Sequence, residues 1–425
     1  MIFAGKGACW MIRKNVDIVV IGAGPGGAMA AFLLLLEGYQ VCLVEVERQN
    51  RKVARGEYFQ VDSINLLKKY DLLEEAICSG LQKSQNLSIY DEDGLIKKND
   101  IRELFGDGSF VLTGYHHTVR DILRKKVQEH PAGDLMMGTA FVDFIREGDA
   151  VIGVVCDRAG ERVEIYAKLT IGADGRGSKV RKKLSPEMQT LQQYPVQALL
   201  TTLPAPEDFT PEVSIRISRH SHPTLIYPLD QKNARIVSSI EKGTFSQLVK
   251  EHVHKFYDPI SKSSPEFQNS VAGIKNWKEC HPSVFHYYTQ HVGQYAWDGL
   301  ILVGDAAHTF TPNLGLGQNM ALKDAEMLKE TVNWGFETND FSRENLQLFE
   351  ERTMETHRYW IKKDIEFNRL LLHRKYHRLR YEVHRRVFRI PSASKKIVSH
   401  LLGRRESGFV MKEVLQAIGL LPLWL

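Results

Sequence analysis

The stretch that decides the fold runs from Val16 to Glu47: VDIVVIGAGPGGAMAAFLLLLEGYQVCLVEVE. Its first residues, Val16 to Ile21, are mostly β-branched and favour extended backbone. A turn follows that carries Gly22, Gly24 and Gly27, with Pro25 and Gly26 between them. Ala28 to Leu36 is apolar and reads as a helix closed by Gly38. Gln40 to Val44 reads as a second strand ending at Glu45. A strand, a helix and a strand joined through glycines in GxGxxG register form a dinucleotide-binding unit. Gly22 permits the tight turn, Gly24 lets backbone approach a pyrophosphate, and Gly27 lets the helix pack close to the strand. The helix N-terminus offers unpaired N–H groups and a partial positive charge to phosphates. Glu45 stands where a carboxylate can accept both ribose hydroxyls.

A chain of 425 residues is too long for one small core, so two or more lobes are expected. With 43% hydrophobic and 25% charged residues it has the balance of an ordinary globular protein. Cys9, Cys42, Cys78, Cys156 and Cys280 are odd in number and form no CxxC pair. That argues against a disulfide framework or a zinc site and fits a reducing compartment. The first ten residues hold no signal-peptide run, and no stretch reaches the ~18 apolar residues of a membrane span. The expected location is therefore cytoplasmic. Met11 is an alternative start, because the first strand is expected only from about Asp17.

The net charge of +5 is unevenly placed. Between Arg374 and Arg405 eleven Lys or Arg residues face a single acid, Glu382. Such a run is either a solvated helix face or a peripheral contact with an anionic membrane surface. No aromatic platform accompanies it, so no nucleic-acid partner is expected.

Two later signatures narrow the ligand. In IGADGRGSKVRKKL (Ile171–Leu184) a short strand runs into Asp174 and Gly175, and Ser178 and Arg181 open a helix. In VGDAAHTFTPNLGLGQN (Val303–Asn319) a strand delivers Gly304 and Asp305, and a helix begins in the Gly315–Asn319 loop. A second carboxylate and a second helix N-terminus thus reach the same sheet edge, which points to a flavin. Asp305 suits a ribityl hydroxyl. The bare backbone of Gly315, Leu316 and Gly317 suits the carbonyl edge of the ring. Pro312 shapes the ring's other edge.

Together the three segments resemble, in order and spacing across most of residues 14–335, the GxGxxG, DG and GD motifs of the class A, p-hydroxybenzoate hydroxylase-like flavin monooxygenases. Two further stretches fit. Arg55, in ARGEYFQVDSINLLKKYDLL, occupies the place of an arginine near the flavin, and Arg120, in GYHHTVRDILRKKV, that of an arginine contacting the cofactor. The resemblance implies non-covalent FAD on Gly22, Gly24, Pro25, Gly26, Gly27, Glu45, Arg55, Arg120, Asp174, Gly304, Asp305, Gly317, Gln318 and Asn319. It implies a catalytic flavin-edge loop of Pro312, Gly315, Leu316 and Gly317, with no acid or base assigned. NADPH or NADH would be the transient reductant, and O2 and an aromatic small molecule the other partners.

The implied fold is α/β. A Rossmann-like FAD-binding domain would be built from 14–81, 113–185 and 291–339. A β-sheet substrate lobe from 82–112 and 186–290 would be inserted in it, followed by a helical tail over 340–425. No thioredoxin-like third domain of the kind the larger phenol hydroxylases carry is expected, only the basic helical tail. Strand-like alternation in VSIRISR and ARIVSSI falls in the lobe, and HPTLIYPLD brings Tyr227 and Pro228 as candidate substrate contacts.

The implied chemistry passes one oxygen atom from a flavin hydroperoxide to an electron-rich carbon, by hydroxylation or epoxidation. It needs no metal and no protein nucleophile. His308 is then expected to hold its loop, and the histidines of the tail to lie on a helix face. A geranylgeranyl-type lipid reductase is the alternative, favoured by the basic tail and the apolar end VLQAIGLLPLWL. A flavin-dependent halogenase is disfavoured, because NWKEC around Trp277 is the nearest approach to the WxWxI segment. A non-catalytic scaffold is disfavoured by the intact glycines and Asp305.

Overall fold

The computed structural model describes residues 12–50, 56–184, 189–207, 209–371, 377–417, 419, 422 and 423. Met11 and Arg55 lie outside the described residues. The opening unit is β1 (Ile12–Ile21), α1 (Pro25–Leu36) and β2 (Val41–Glu45). β1 begins five residues before Asp17, because Ile12 to Val16 pair with Val163 to Ala167 of the long Glu161–Gly172 strand. α1 begins at Pro25 rather than Ala28, since the ring fixes φ near helical values and the N–H it lacks would be unpaired there anyway.

β1 and β2 lie in the parallel part of an eight-stranded mixed sheet, in the order Leu300–Leu302, Glu161–Gly172, β1, β2, Gly133–Met137. Ile18, Val19, Val20, Val41, Cys42 and Leu43 are wholly buried, as expected of strands covered on both faces. α1 is buried along most of its length between the Leu316–Thr338 and His117–Glu129 helices. That explains why its sequence is apolar all round rather than striped.

A second sheet runs His308–Thr309, Ser283–Val292, Gln189–Pro204, Asn233–Glu241, Thr224–Pro228, Val213–Arg216, Asn86–Asp91, Gly94–Asp100. It is antiparallel except where Val213–Arg216 runs parallel to Asn86–Asp91. Its first strand belongs to the Val303–Asn319 stretch, with His308 opposite His291 and Thr309 opposite Gln290. The loop after Asp305 is therefore stitched to the second sheet. In a small three-stranded sheet, Val111–Tyr115 pairs antiparallel with Gly56–Phe59 on one side and Gln82–Ser84 on the other.

The last fifth of the chain forms helices Arg343–Leu371, His377–Arg389, Pro391–Leu401 and Met411–Ala417. They share one core with the second sheet and the loop: Trp360, Tyr381, Val398 and Leu402 pack with Leu87, Val213, Leu314 and Leu316. Much of the basic run is neutralised within the chain. Arg385 meets Asp91 at 2.7 Å, Lys396 meets Glu413 at 2.9 Å, and Arg405 meets Glu355 at 3.2 Å.

Candidate active site

The C-terminal ends of β1 and Leu300–Leu302 meet the N-termini of α1 and the Leu316–Thr338 helix at a cavity of about 280 Å³. Gly24, Pro25, Gly26, Gly27, Gly304, Asp305, Gly317 and Gln318 line one side. Leu87, Leu200, Val213, Leu225, Tyr227, Val237 and Phe285 line the other. Pro312, Leu314 and Gly315 lie between them, and Leu401 comes in from the C-terminal helices.

The glycines divide into two kinds. A Cβ on Gly22 (φ +100°) would sit 2.5 Å from the Ala173 carbonyl oxygen, and one on Gly27 2.0 Å from that of Gly22. These two are fixed by close packing of the chain on itself. A Cβ on Gly24 would meet nothing within 4 Å, and one on Gly317 only Asp305 Oδ1 at 3.9 Å. These two face open space. Gly26 lines the cavity but also packs on the second helix, where a Cβ would approach that of Ala321 to 2.9 Å.

Several residues expected on the cofactor have other partners. Asp174 accepts from the N–H groups of Lys179 (2.6 Å) and Val180 (3.1 Å) and from the Ser178 hydroxyl, so it caps its own short helix. Asn319 is wholly buried. Its Oδ1 accepts from Gln60 N at 2.9 Å, and its Nδ2 donates to the carbonyls of Tyr58 (2.8 Å) and Gly315 (2.6 Å). It braces two loops rather than lining the cavity. Leu316 is core, and the Pro228 carbonyl accepts from the Thr113 hydroxyl at 2.7 Å while Tyr227 reaches the cavity. Arg120 is buried against Asp121 at 2.7 Å. Its neighbour one turn on, Arg124, holds Glu45 at 2.9 Å and the Ala23 carbonyl at 2.7 Å. Glu45 also accepts from Ala23 N at 2.9 Å. Arg124 escaped the sequence reading, although its i,i+4 spacing from Arg120 puts both on one helix face.

Gln60 was likewise missed. It is buried, and its Nε2 donates to the carbonyls of Leu314 (3.2 Å) and Leu401 (3.1 Å), joining the flavin-edge loop to the end of the Pro391–Leu401 helix. No pattern in ARGEYFQVDS marks it, because both acceptors are backbone groups hundreds of residues away.

Beneath the GD turn lies a buried carboxylate, Asp324. It accepts from Gly304 N at 2.9 Å, His308 Nε2 at 2.7 Å and His357 Nε2 at 2.8 Å. His357 Nδ1 in turn meets the Tyr295 hydroxyl at 3.1 Å. Burial pushes the Asp324 carboxyl up, but the histidine charges and their hydrogen bonds outweigh it and hold the group well below the usual carboxylate range. Burial, and then the charge at His308, lower His357. The ligand atoms of these three side chains lie within 4.8 Å of one another, close enough for a metal ion. Assigned from the hydrogen-bond network, however, each imidazole Nε2 donates its proton to Asp324 and has no lone pair to give. The cluster's work is to hold Gly304 and Asp305 in place.

The model of the FAD binding domain family matches residues 15–332, three quarters of the chain. The chain belongs to the FAD-binding domain family. 6-Methylpretetramide 4-monooxygenase of Streptomyces rimosus is 28% identical over 331 residues, 77% of this chain and 78% of that one. Digeranylgeranylglycerophospholipid reductase of Methanosarcina acetivorans is 25% identical over 359 residues, covering 81% and 82%. The solved structure of PqsL from Pseudomonas aeruginosa superposes with a TM-score of 0.75 at 19% identity, over 84% of this chain and 97% of that one. The protein is an FAD-dependent monooxygenase of the p-hydroxybenzoate hydroxylase-like class, in which NADH or NADPH is the typical reductant. FAD fits the cleft on local grounds. Gly24 and Gly317 leave room that any side chain would fill. The buried Gln318 amide has neither its oxygen nor its nitrogen paired within the protein, as a ligand-facing group would. Among the described residues no helix is long and apolar enough to cross a membrane.

Proposed function

We propose that this enzyme hydroxylates, or epoxidises, an electron-rich aromatic small molecule held between the second sheet and the Pro312–Gly317 loop. The observation that carries the reading is the apolar wall of Leu87, Leu200, Val213, Leu225, Val237 and Phe285 facing the glycines of that loop across one cavity. Such a wall binds a flat apolar body and keeps water from the reacting centre. FAD held there would supply the redox chemistry, with two electrons drawn from NADH or NADPH, so that one oxygen atom of O2 ends on substrate carbon and the other in water.

The chain's own residues then do the positioning. Gly24 and the N-terminus of α1 take the pyrophosphate. Glu45, kept in place by Arg124, takes the ribose, and Asp305 takes the ribityl chain. Backbone N–H groups of Leu316 and Gly317, with the Gln318 amide, face the ring's carbonyl edge, the Gly315 N–H being taken by the Pro312 carbonyl at 3.0 Å. Tyr227 contacts the substrate. The segments 14–81, 113–185 and 291–339 serve the cofactor, and 82–112 with 186–290 serve the substrate.

The test is a panel of phenols, indoles and quinolones scored for stimulated NAD(P)H oxidation, O2 uptake and product mass. One compound that gains a single oxygen atom with matching O2 consumption supports the proposal. An alkenyl lipid that gains two hydrogens without O2 uptake replaces it with the reductase reading.

A peripheral contact with an anionic membrane forms a separate part of the proposal. Phe409 and Val410, just before the last helix, and Met411 and Val414 on it are exposed beside Lys412, with Met411 71% exposed. Co-sedimentation with phosphatidylserine vesicles, lost in a Phe409→Ser/Met411→Ser variant, would support it. Absence of binding by the unaltered protein would remove it.

A further inference from the structure

Asp364 lies outside the span matched by the family and belongs to the Arg343–Leu371 helix. It is wholly buried and receives four hydrogen bonds. Oδ2 accepts from the Thr289 hydroxyl at 2.6 Å and from Thr311 N at 3.1 Å. Oδ1 accepts from the Thr311 hydroxyl at 2.6 Å and from Asn368 Nδ2 at 3.1 Å. One turn on, Asn368 Oδ1 accepts from Asn313 Nδ2 at 2.6 Å, and Asn313 Oδ1 accepts from the Tyr287 hydroxyl at 2.8 Å. Thr311 and Asn313 line the cavity and flank Pro312, directly before Gly315. Thr289 and Tyr287 belong to the Ser283–Val292 strand of the second sheet. One carboxylate thus ties together the C-terminal helix, the second sheet and the loop between them, from the side away from the cavity.

We propose that Asp364 is a positioning residue that fixes the Thr311–Gly315 loop against the second sheet and so sets where that loop meets the flavin. The inference rests on the reading that this loop borders the ring. A carboxylate that only filled space would not need hydrogen bonds from three separate elements. Burial pushes its carboxyl up to about 6, against the opposing pull of those hydrogen bonds. Its ionisation therefore lies within an accessible pH range. Neutralising it would weaken the charge-assisted bonds that hold the loop. The other titratable groups facing this node are Tyr194 and Tyr287 from the second sheet and Arg369 from its own helix. His116 lines the cavity itself.

The measurement is visible-region circular dichroism of the FAD-loaded enzyme as a function of pH, a signal from ring surroundings that needs no substrate. The unaltered enzyme is expected to show a transition near the Asp364 value. Asp364→Asn, nearly the same shape, is expected to bind FAD stoichiometrically, to lose that transition and to keep the acid-form spectrum throughout. Thr289→Val removes one donor that favours the ionised form and should move the midpoint up by roughly 0.5–1 pH unit. It also serves if Asp364→Asn does not fold. A flavin-replete Asp364→Asn enzyme with the unaltered spectrum and transition would overturn the proposal. So would a Thr289→Val midpoint that does not move. Failure of the monooxygenase reading would appear separately, as absence of oxygenated product from the unaltered enzyme, with the spectral result standing.

Discussion

Removing one carboxylate at Asp305 tests the cofactor assignment directly. A charge-assisted hydrogen bond contributes about 1.5–3 kcal/mol, so Asp305→Ala should weaken FAD binding roughly ten- to hundred-fold. Activity per bound flavin should change far less. Titration of the apoprotein with FAD by fluorescence quenching reads the first quantity, and normal binding would remove Asp305 from the site. Asp364 makes a different kind of prediction, one of stability. Its native value near 6 stands above the ordinary carboxylate value. Between these values the folded chain keeps a proton that the unfolded chain has lost, so stability is present at the acid end and is lost as pH rises. Relative to Asp364→Asn, the unaltered protein should lose on the order of 3 kcal/mol between about pH 4 and pH 7, readable from urea midpoints of the pair. Sequence reading placed Gly22 and Gly27 where close packing leaves no room for a side chain, and Gly24 and Asp305 where they line the cavity. It missed Arg124, Gln60 and Asp364, whose partners are distant in the chain. It placed Asp174 and Asn319 on the cofactor, when their side chains bond to backbone N–H and carbonyl groups of the loops they shape.

At the scale of single elements, the glycine turn of α1 separates packing from ligand access. Gly27→Ala drives a Cβ into the Gly22 carbonyl and should lower the melting temperature of the apoprotein sharply. Gly24→Ala meets nothing, so it should leave that temperature almost unchanged while weakening FAD binding. Equal destabilisation by both would mean that Gly24 is also packed. At the second helix N-terminus, Gly317→Val sets a branched side chain where the ring edge should lie. If the variant folds and binds FAD, it should release more hydrogen peroxide per NAD(P)H consumed with substrate present. An unchanged ratio in flavin-replete protein would separate this loop from the reacting ring. These elements were legible because βαβ periodicity is strong. Their ends were not: Ile12–Val16 became strand only because a long neighbour was there to pair with, and α1 gained a first turn because Pro25 suits its first position.

For the molecule as a whole, the family span and the C-terminal helices form one packed body around the cleft. Trp360 is 1% exposed in the core shared with Leu314 and Leu316. Trp360→Ala should therefore cost about 3–5 kcal/mol and lower FAD content with it. Trp334→Ala, at a half-exposed position, should stay within ~0.5 kcal/mol. Calorimetry of the two variants side by side decides this, and equal effects would detach the tail from the site. Sequence reading saw a basic helical tail but not its inner face, because the apolar stripe is interrupted by charges whose acids lie near residue 91. The Gln60 bridge to Leu401 carries one more consequence, for biosynthesis. A ribosome still holding the last few dozen residues in its exit tunnel has released the whole dinucleotide unit but not the helix end that Gln60 must reach. Loading of the yellow prosthetic group should therefore lag translation of its own binding motif and wait until Leu401 has left the tunnel, and a stalled nascent chain ending near residue 380 should remain colourless.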